Sequence, residues 1–166
     1  MTSSKTLHQR PVQPKAFTPA EANATLPLVR AIVTDLVALS RDVVDRRQRL
    51  AMLSGSKSNH ARDPFHEEIV QVQKDVEKDT QRLLEYVAEL RALGVEPKSG
   101  TDGLVDFPAM LHGRKVFLCW KLGEAGVLHW HELDDGFVGR QPLPPELEFD
   151  SEQDGGTRLR GNASHN

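Results

Sequence analysis

His129-Trp130-His131 is an H-x-H string inside a short stretch of β-forming residues. Alternate side chains of a strand point to one face, about 7 Å apart along the chain, so two imidazoles so placed can share one metal ion. Zinc and its neighbours take three or four ligands, and a catalytic zinc keeps one position open. His129 and His131 are therefore the metal candidates, for a divalent ion such as zinc, with a third ligand drawn from Asp106, Glu124, Glu132 or Asp135. The competing role is structural, with either histidine capping a sheet edge and bonding to backbone. Asp106 stands between Val105 and Phe107 and before Pro108. A carboxylate among apolar neighbours must be hydrogen-bonded, paired or protonated. Its expected partner is Arg140 or Arg30, in a structural ion pair or in a general-base or ligand role.

Asp134-Asp135-Gly136-Phe137-Val138-Gly139-Arg140-Gln141-Pro142 combines two glycines with a guanidinium, so its backbone N–H groups, Arg140 and Gln141 could hold a small anion. It lacks the spacing of a phosphate-binding loop, and glycines also serve turns that require positive φ. Trp120 reads first as core filling and second as a ligand platform. Cys119 could act as a nucleophile beside His131, since a thiolate needs a nearby base or cation. The register expected below puts it on the opposite face, as a small buried hydrophobe. Taken together, His131 as ligand or base, Asp106 or Glu132 as a second acid–base group and Arg140 on an anion describe metal-assisted hydrolysis. No complete catalytic signature is present.

The elements that must position these groups begin at Phe17. Thr18-Pro19-Ala20-Glu21 is a capping box with Pro at the first helical position, so a helix starts there. Pro27 predicts a kink or break near Leu26. From there to Leu53, Val29, Ile32, Leu36, Leu39, Val43, Leu50 and Leu53 recur in steps of three and four, with Arg46 at the one missing position. Asp63-Pro64 opens a second helix whose seam is Phe65, Ile69, Val72, Val76, Leu83, Val87 and Leu90, with Asp79 in its gap and Gly94 as the stop. A short polar link, Ser56 to Arg62, predicts an antiparallel hairpin over residues 18–94. Arg46 either sets register and partner choice or snorkels near the tip; Asp75 is its expected partner within the hairpin, and Asp79 across a dimer. Leu28, Val33 and Val37 with Leu84, Tyr86 and Leu93 widen the apolar stripe at the base, so another layer must dock there.

Gly103 to Phe107, Lys115 to Leu122 and Val127 to Leu133 supply that layer as a three-stranded antiparallel meander with turns at His112-Gly113 and Gly123 to Gly126. Leu122 opposite Val127 pairs Trp120 with His129 and Leu118 with His131. The expected fold is α+β: a long antiparallel helical hairpin with a small three-stranded sheet at its base. Residues 16–149 form one domain, with a meander and closing loop over 103–149. Tails at 1–15 and 150–166 are polar and expected to be disordered.

Four strings occur in order: Phe17-Thr18 with Glu21-Ala22-Asn23-Ala24 and Leu26-Pro27-Leu28-Val29-Arg30; Gly103 to Pro108; Leu118 to Glu124; and Trp130-His131-Glu132 with Gly136 to Pro142. Over Phe17 to Leu143 they resemble a bacterial family catalogued as domain of unknown function 2203. The resemblance implies no particular activity, cofactor or partner. His129 stands where an aromatic residue is expected, so His131 is the firmer of the two histidines.

The 166 residues carry 21 Lys and Arg against 24 Asp and Glu, a net charge of -3, without the basic excess that a phosphate backbone demands, so nucleic acid is not an expected partner. No apolar run approaches a membrane span, and one cysteine makes no internal disulfide, so a reduced cytoplasm is assumed. Two function classes follow. One is an assembly or ligand-binding module that self-associates through the helical seam; the other is the small metal-assisted hydrolase.

Overall fold

A computed structural model describes residues 15–55 and 64–151. The chain is α+β, with two long helices and one antiparallel sheet. Helix α1 is Pro19–Ser54 and α2 is His66–Ala92; the strands are β1 Glu96–Ser99, β2 Leu104–Leu111, β3 Arg114–Lys121, β4 His129–His131 and β5 Gln141–Pro142. The sheet order follows the chain, β1-β2-β3-β4-β5. The expected link Ser56 to Arg62 and the cap Asp63 lie outside the described residues, as do the expected tails apart from Lys15, Asp150 and Ser151.

Helix α1 starts as its capping box dictates. Thr18 is extended, and its Oγ1 accepts the Glu21 N–H at 3.2 Å. The expected break near Leu26 is absent: the helix runs on through Pro27. A proline inside a helix costs about 3 kcal/mol, but Ala22, Leu26 and Val29 on either side of it are buried, and that packing holds the helix continuous. Contrary to the expectation that no run approaches a span, an 18-residue window of α1, with mean hydropathy 1.4, is long and apolar enough by length and composition alone to cross a membrane. Ala22, Leu26, Val29, Ile32, Val33, Leu36 and Val37 of α1 belong to the core cluster that includes the sheet.

Helix α2 ends in a Schellman motif. Gly94 adopts φ 84°, its N–H reaches the Arg91 carbonyl, and the Val95 N–H reaches Leu90 at 3.0 Å, while Leu90 and Val95 are both buried. A side chain at Gly94 would also meet the Phe17 ring at 3.3 Å. The two helices touch where Arg46 meets Asp79 and Arg47 donates to Thr80. Asp79 is thus the intrachain partner of Arg46, alongside Asp42 on its own helix; Asp75, the expected partner, bonds Gln71 instead. Val33 and Val37 are buried, whereas Leu28 and Leu84 are exposed and do not widen the stripe.

Five strands replace the three expected. Strands β1 and β5 are short, lie at the two edges and contain Pro97 and Pro142, which an edge tolerates and a period-2 pattern does not reveal. Strand β2 runs past Phe107 to Leu111, because β1 covers it only at residues 104–106, so that Pro108 deprives no neighbour of a bond. The Pro108 carbonyl accepts the Phe17 N–H at 2.7 Å. The turn at His112-Gly113 is as expected, both residues having positive φ as a two-residue hairpin turn requires. Beyond it, Asp150 extends the fold past residue 149: its carboxylate accepts the Gly113 N–H and its own N–H bonds Met110.

The register between β3 and β4 differs by one residue from expectation. Phe117 faces His131, Leu118 faces Trp130 and Cys119 faces His129. Asn23 on α1 occupies the Val127 backbone, its amide oxygen accepting the Val127 N–H at 2.8 Å and its nitrogen donating to the Val127 carbonyl at 3.3 Å. Pairing begins only at His129. A one-residue slip exchanges the faces of a strand. Val105, Phe107, Ala109, Leu111, Val116, Leu118, Trp120 and Trp130 join Phe17 and the buried residues of α1 in one core cluster. Asp106, Pro108, Phe117, Cys119, His129 and His131 take the other face.

Candidate functional site

That second face carries the buried polar residues of the sheet. Asp106 and Cys119 are directly opposite on β2 and β3, and Cys119 is opposite His129 on β4. Asp106 is 2%, Cys119 0% and His131 2% exposed. His131 Nε2 lies 3.1 Å from Asp106 Oδ1, so the partner of Asp106 is His131, not the expected Arg140 or Arg30. His131 Nδ1 is 2.6 Å from the Glu132 carbonyl oxygen. A carbonyl can only accept, so Nδ1 carries a proton and its tautomer is fixed by the backbone. The Phe117 ring leans on the imidazole at 5.5 Å between centroids.

An outer polar layer lies beside Cys119 and His129 on the same face. Arg140 donates to Glu124 Oε1 at 2.9 Å, and the same oxygen accepts the Lys121 N–H at 2.7 Å. Burial pushes the Glu124 carboxyl up, but Arg140, the Lys121 N–H and nearby His129 together bring it below the usual carboxylate range. Arg140 also lies near the Cys119 sulfur and stacks over Phe137, 4.2 Å from the ring centre. Burial, with the Asp106 carboxylate adding to it, pushes the Cys119 thiol up to about 12 against the opposing pull of Arg140. At neutral pH it is a thiol, not a nucleophile.

The expected sites separate into those brought together and those kept apart. Asp106 and His131 meet, and Cys119 joins them once the register is corrected. These three form the one cluster of at least three metal-ligand side chains among the described residues. His129 is not in it: its Nδ1 is buried without a hydrogen-bond partner, 3.6 Å from Glu124 Oε2. The two imidazoles of His129 and His131 engage different carboxylates. Glu132 points instead to Arg114, 2.9 Å away. Trp120 is fully buried on the helix-facing side, its indole N–H on the Glu124 carbonyl, and so offers no platform. Gln141 is exposed on β5. Arg30 lies near Trp120 and donates to the Ala125 carbonyl at 3.1 Å.

Glu124 is the residue that sequence reasoning undervalued, as one of four optional ligands. It organises the outer layer, and the signal was a lone carboxylate flanked by Gly123 and Gly126 in a turn. A family model described as an uncharacterized conserved protein, DUF2203, matches residues 15–143. No curated protein and no solved structure matches the chain.

Proposed function

The chain belongs to DUF2203, a family of uncharacterized conserved proteins, and from that premise we propose that it is an assembly module whose two helices form an antiparallel hairpin and self-associate through its outer end. One observation carries this reading: the apolar seam outruns the layer that covers it. Val29, Ile32, Leu36 and Val43 are buried, but farther along the same seam Leu50 is half-buried and Leu53 is 52% exposed. With Ile69 and Val72 of α2 they line a groove of about 500 Å³ whose rim holds Arg46, Arg49 and Glu68. A second copy supports this geometry best. A seam of threes and fours is matched by another such seam, and a rim bearing both charges is complementary to itself across a two-fold axis.

On this reading α1 is a core and interface helix rather than a membrane span, the net charge of -3 gives nucleic acid no foothold, and the free buried Cys119 suits a reduced cytoplasm. The hydrolase reading is weaker, because Asp106 and His131 present almost no surface to a substrate. A small anion is likewise poorly served by an Arg140 already paired with Glu124. Light scattering on the full chain across a concentration series tests the proposal. The expected mass is twice 18.5 kDa, falling to one chain in Leu53→Glu/Ile69→Glu with unchanged circular dichroism. Arg46→Leu, which makes the seam continuous, should tighten association. A wild-type monomer at every concentration overturns it.

A further inference from the structure

We infer that Asp106, Cys119 and His131 form a buried site for one divalent metal ion of the zinc class, held by Asp106 Oδ1, Cys119 Sγ and His131 Nε2. The three residues come from three different strands, and one ligand atom from each lies within 4.8 Å of the others. With bonds of about 2.0–2.3 Å, ligand atoms around one tetrahedral zinc stand roughly 3.3–3.6 Å apart. The Nε2 to Oδ1 separation of 3.1 Å already falls close to that spacing.

The tautomer of His131 supplies the second, independent argument. Because Nδ1 donates to the Glu132 carbonyl, a neutral imidazole turns the lone pair of Nε2 toward a carboxylate oxygen. Two acceptors at this distance require a cation between them, either a proton or a metal. An imidazole whose other nitrogen is fixed by a backbone carbonyl is the usual arrangement at a metal centre, and it aims Nε2 at the ion. A divalent ion there displaces the proton shared by Nε2 and Oδ1 and the thiol proton of Cys119. Two protons leave as two charges arrive, so the buried charge is unchanged. Arg140 lies against the same sulfur, where a guanidinium stabilises a metal-bound thiolate, and Glu124 neutralises it. Three protein ligands would leave the fourth tetrahedral position to a water, and the burial of all three side chains would shield that position from bulk solvent.

The test uses the purified full chain, stripped with chelator and reloaded with zinc or with cobalt(II). The expected result is one equivalent of metal by mass spectrometry, and a cobalt(II) spectrum carrying thiolate charge-transfer and tetrahedral bands. Cys119→Ser should abolish the charge-transfer band, and His131→Gln should weaken zinc at least about a hundredfold. His129→Ala, which changes the histidine outside the cluster, should leave stoichiometry and spectrum as they are. If a ligand variant fails to fold, the wild-type spectrum decides alone. Absence of bound metal after loading, a spectrum without a thiolate band, or loss of metal in His129→Ala equal to that in His131→Gln overturns the assignment.

Discussion

The two faces of the central sheet are built on opposite principles. The face toward α1 is apolar at every buried position, from Val105 and Phe107 to Leu118, Trp120 and Trp130. On alternate residues of the same strands, the other face buries a carboxylate, an imidazole and a thiol with equal completeness. The difference lies in the covers. Helix α1 brings Ala22, Leu26, Val29, Val33 and Leu36, enough apolar surface that nothing polar need be accommodated. The segment over the second face brings Phe137, Arg140 and Glu124, so its polar groups must satisfy one another. The first face explains why the chain folds, and the second is where a residue type needs a reason beyond folding.

The sharpest way to test that division is truncation of matched aromatics. Phe107→Ala or Trp120→Ala on the helix side should cost about 3–5 kcal/mol in urea denaturation, because each leaves a cavity among fixed neighbours. Phe117 is half-buried on the other face and leans on His131. Phe117→Ala should cost less than half as much. Equal losses from the two faces would break the contrast.

How much of this was legible follows the same line. The helix-side face was readable, because its residues alternate on strands and recur in threes and fours on α1, and periodicity reports burial. Local devices were readable too: the Thr18 cap, the His112-Gly113 turn and the Gly94 stop each act within a few residues. The second face was not. Asp106 and His131 were recognisable as residues needing partners, yet that they partner each other depends on strand register. Register here goes with a contact from Asn23, more than a hundred residues from Val127, whose backbone it occupies. The one-residue error that followed moved Cys119 to the wrong face. The edge strands β1 and β5 were hidden for a different reason, since two to four residues containing proline carry no period.

The next prediction separates stability from purpose within the polar face, in metal-free protein. Asp106→Leu alone strands His131 Nε2 against a hydrocarbon, and breaking a buried pair in this way should cost about 3 kcal/mol. The double variant Asp106→Leu/His131→Met removes both partners at similar volume and should return to within about 1 kcal/mol of wild type. Chemical denaturation of the four-member cycle measures the coupling directly. If the double variant is as unstable as the single, the pair is structural in its own right, and the contrast between the faces narrows.

A reactivity measurement follows. With its thiol pushed up to about 12 by burial, Cys119 should resist alkylation in the native protein near neutral pH and react stoichiometrically once unfolded. Rapid native labelling would show that the polar face opens more readily than the helix-side face.

The smallest expected effect is a pH dependence confined to the outer polar layer. Glu124 has its folded-state affinity for protons lowered, chiefly by the Arg140 guanidinium and the Lys121 N–H acting against burial. A carboxyl shifted in this direction stabilises the fold fully above its unfolded value of about 4.3, and that stabilisation fades as pH falls through the lower folded value. The pair retains some solvent contact, with side chains 19% and 22% exposed, so its contribution should be on the order of 1 kcal/mol. Urea midpoints measured near neutrality and again in the acid range should therefore differ more in wild type than in Arg140→Met, in which the Glu124 shift is largely removed. His129→Gln serves as the control for the imidazole that also faces Glu124, 3.6 Å away. Should Arg140→Met keep the full acid sensitivity, the carboxylates responsible lie elsewhere, and the polar face would owe its order to the buried Asp106–His131 pair rather than to the outer layer.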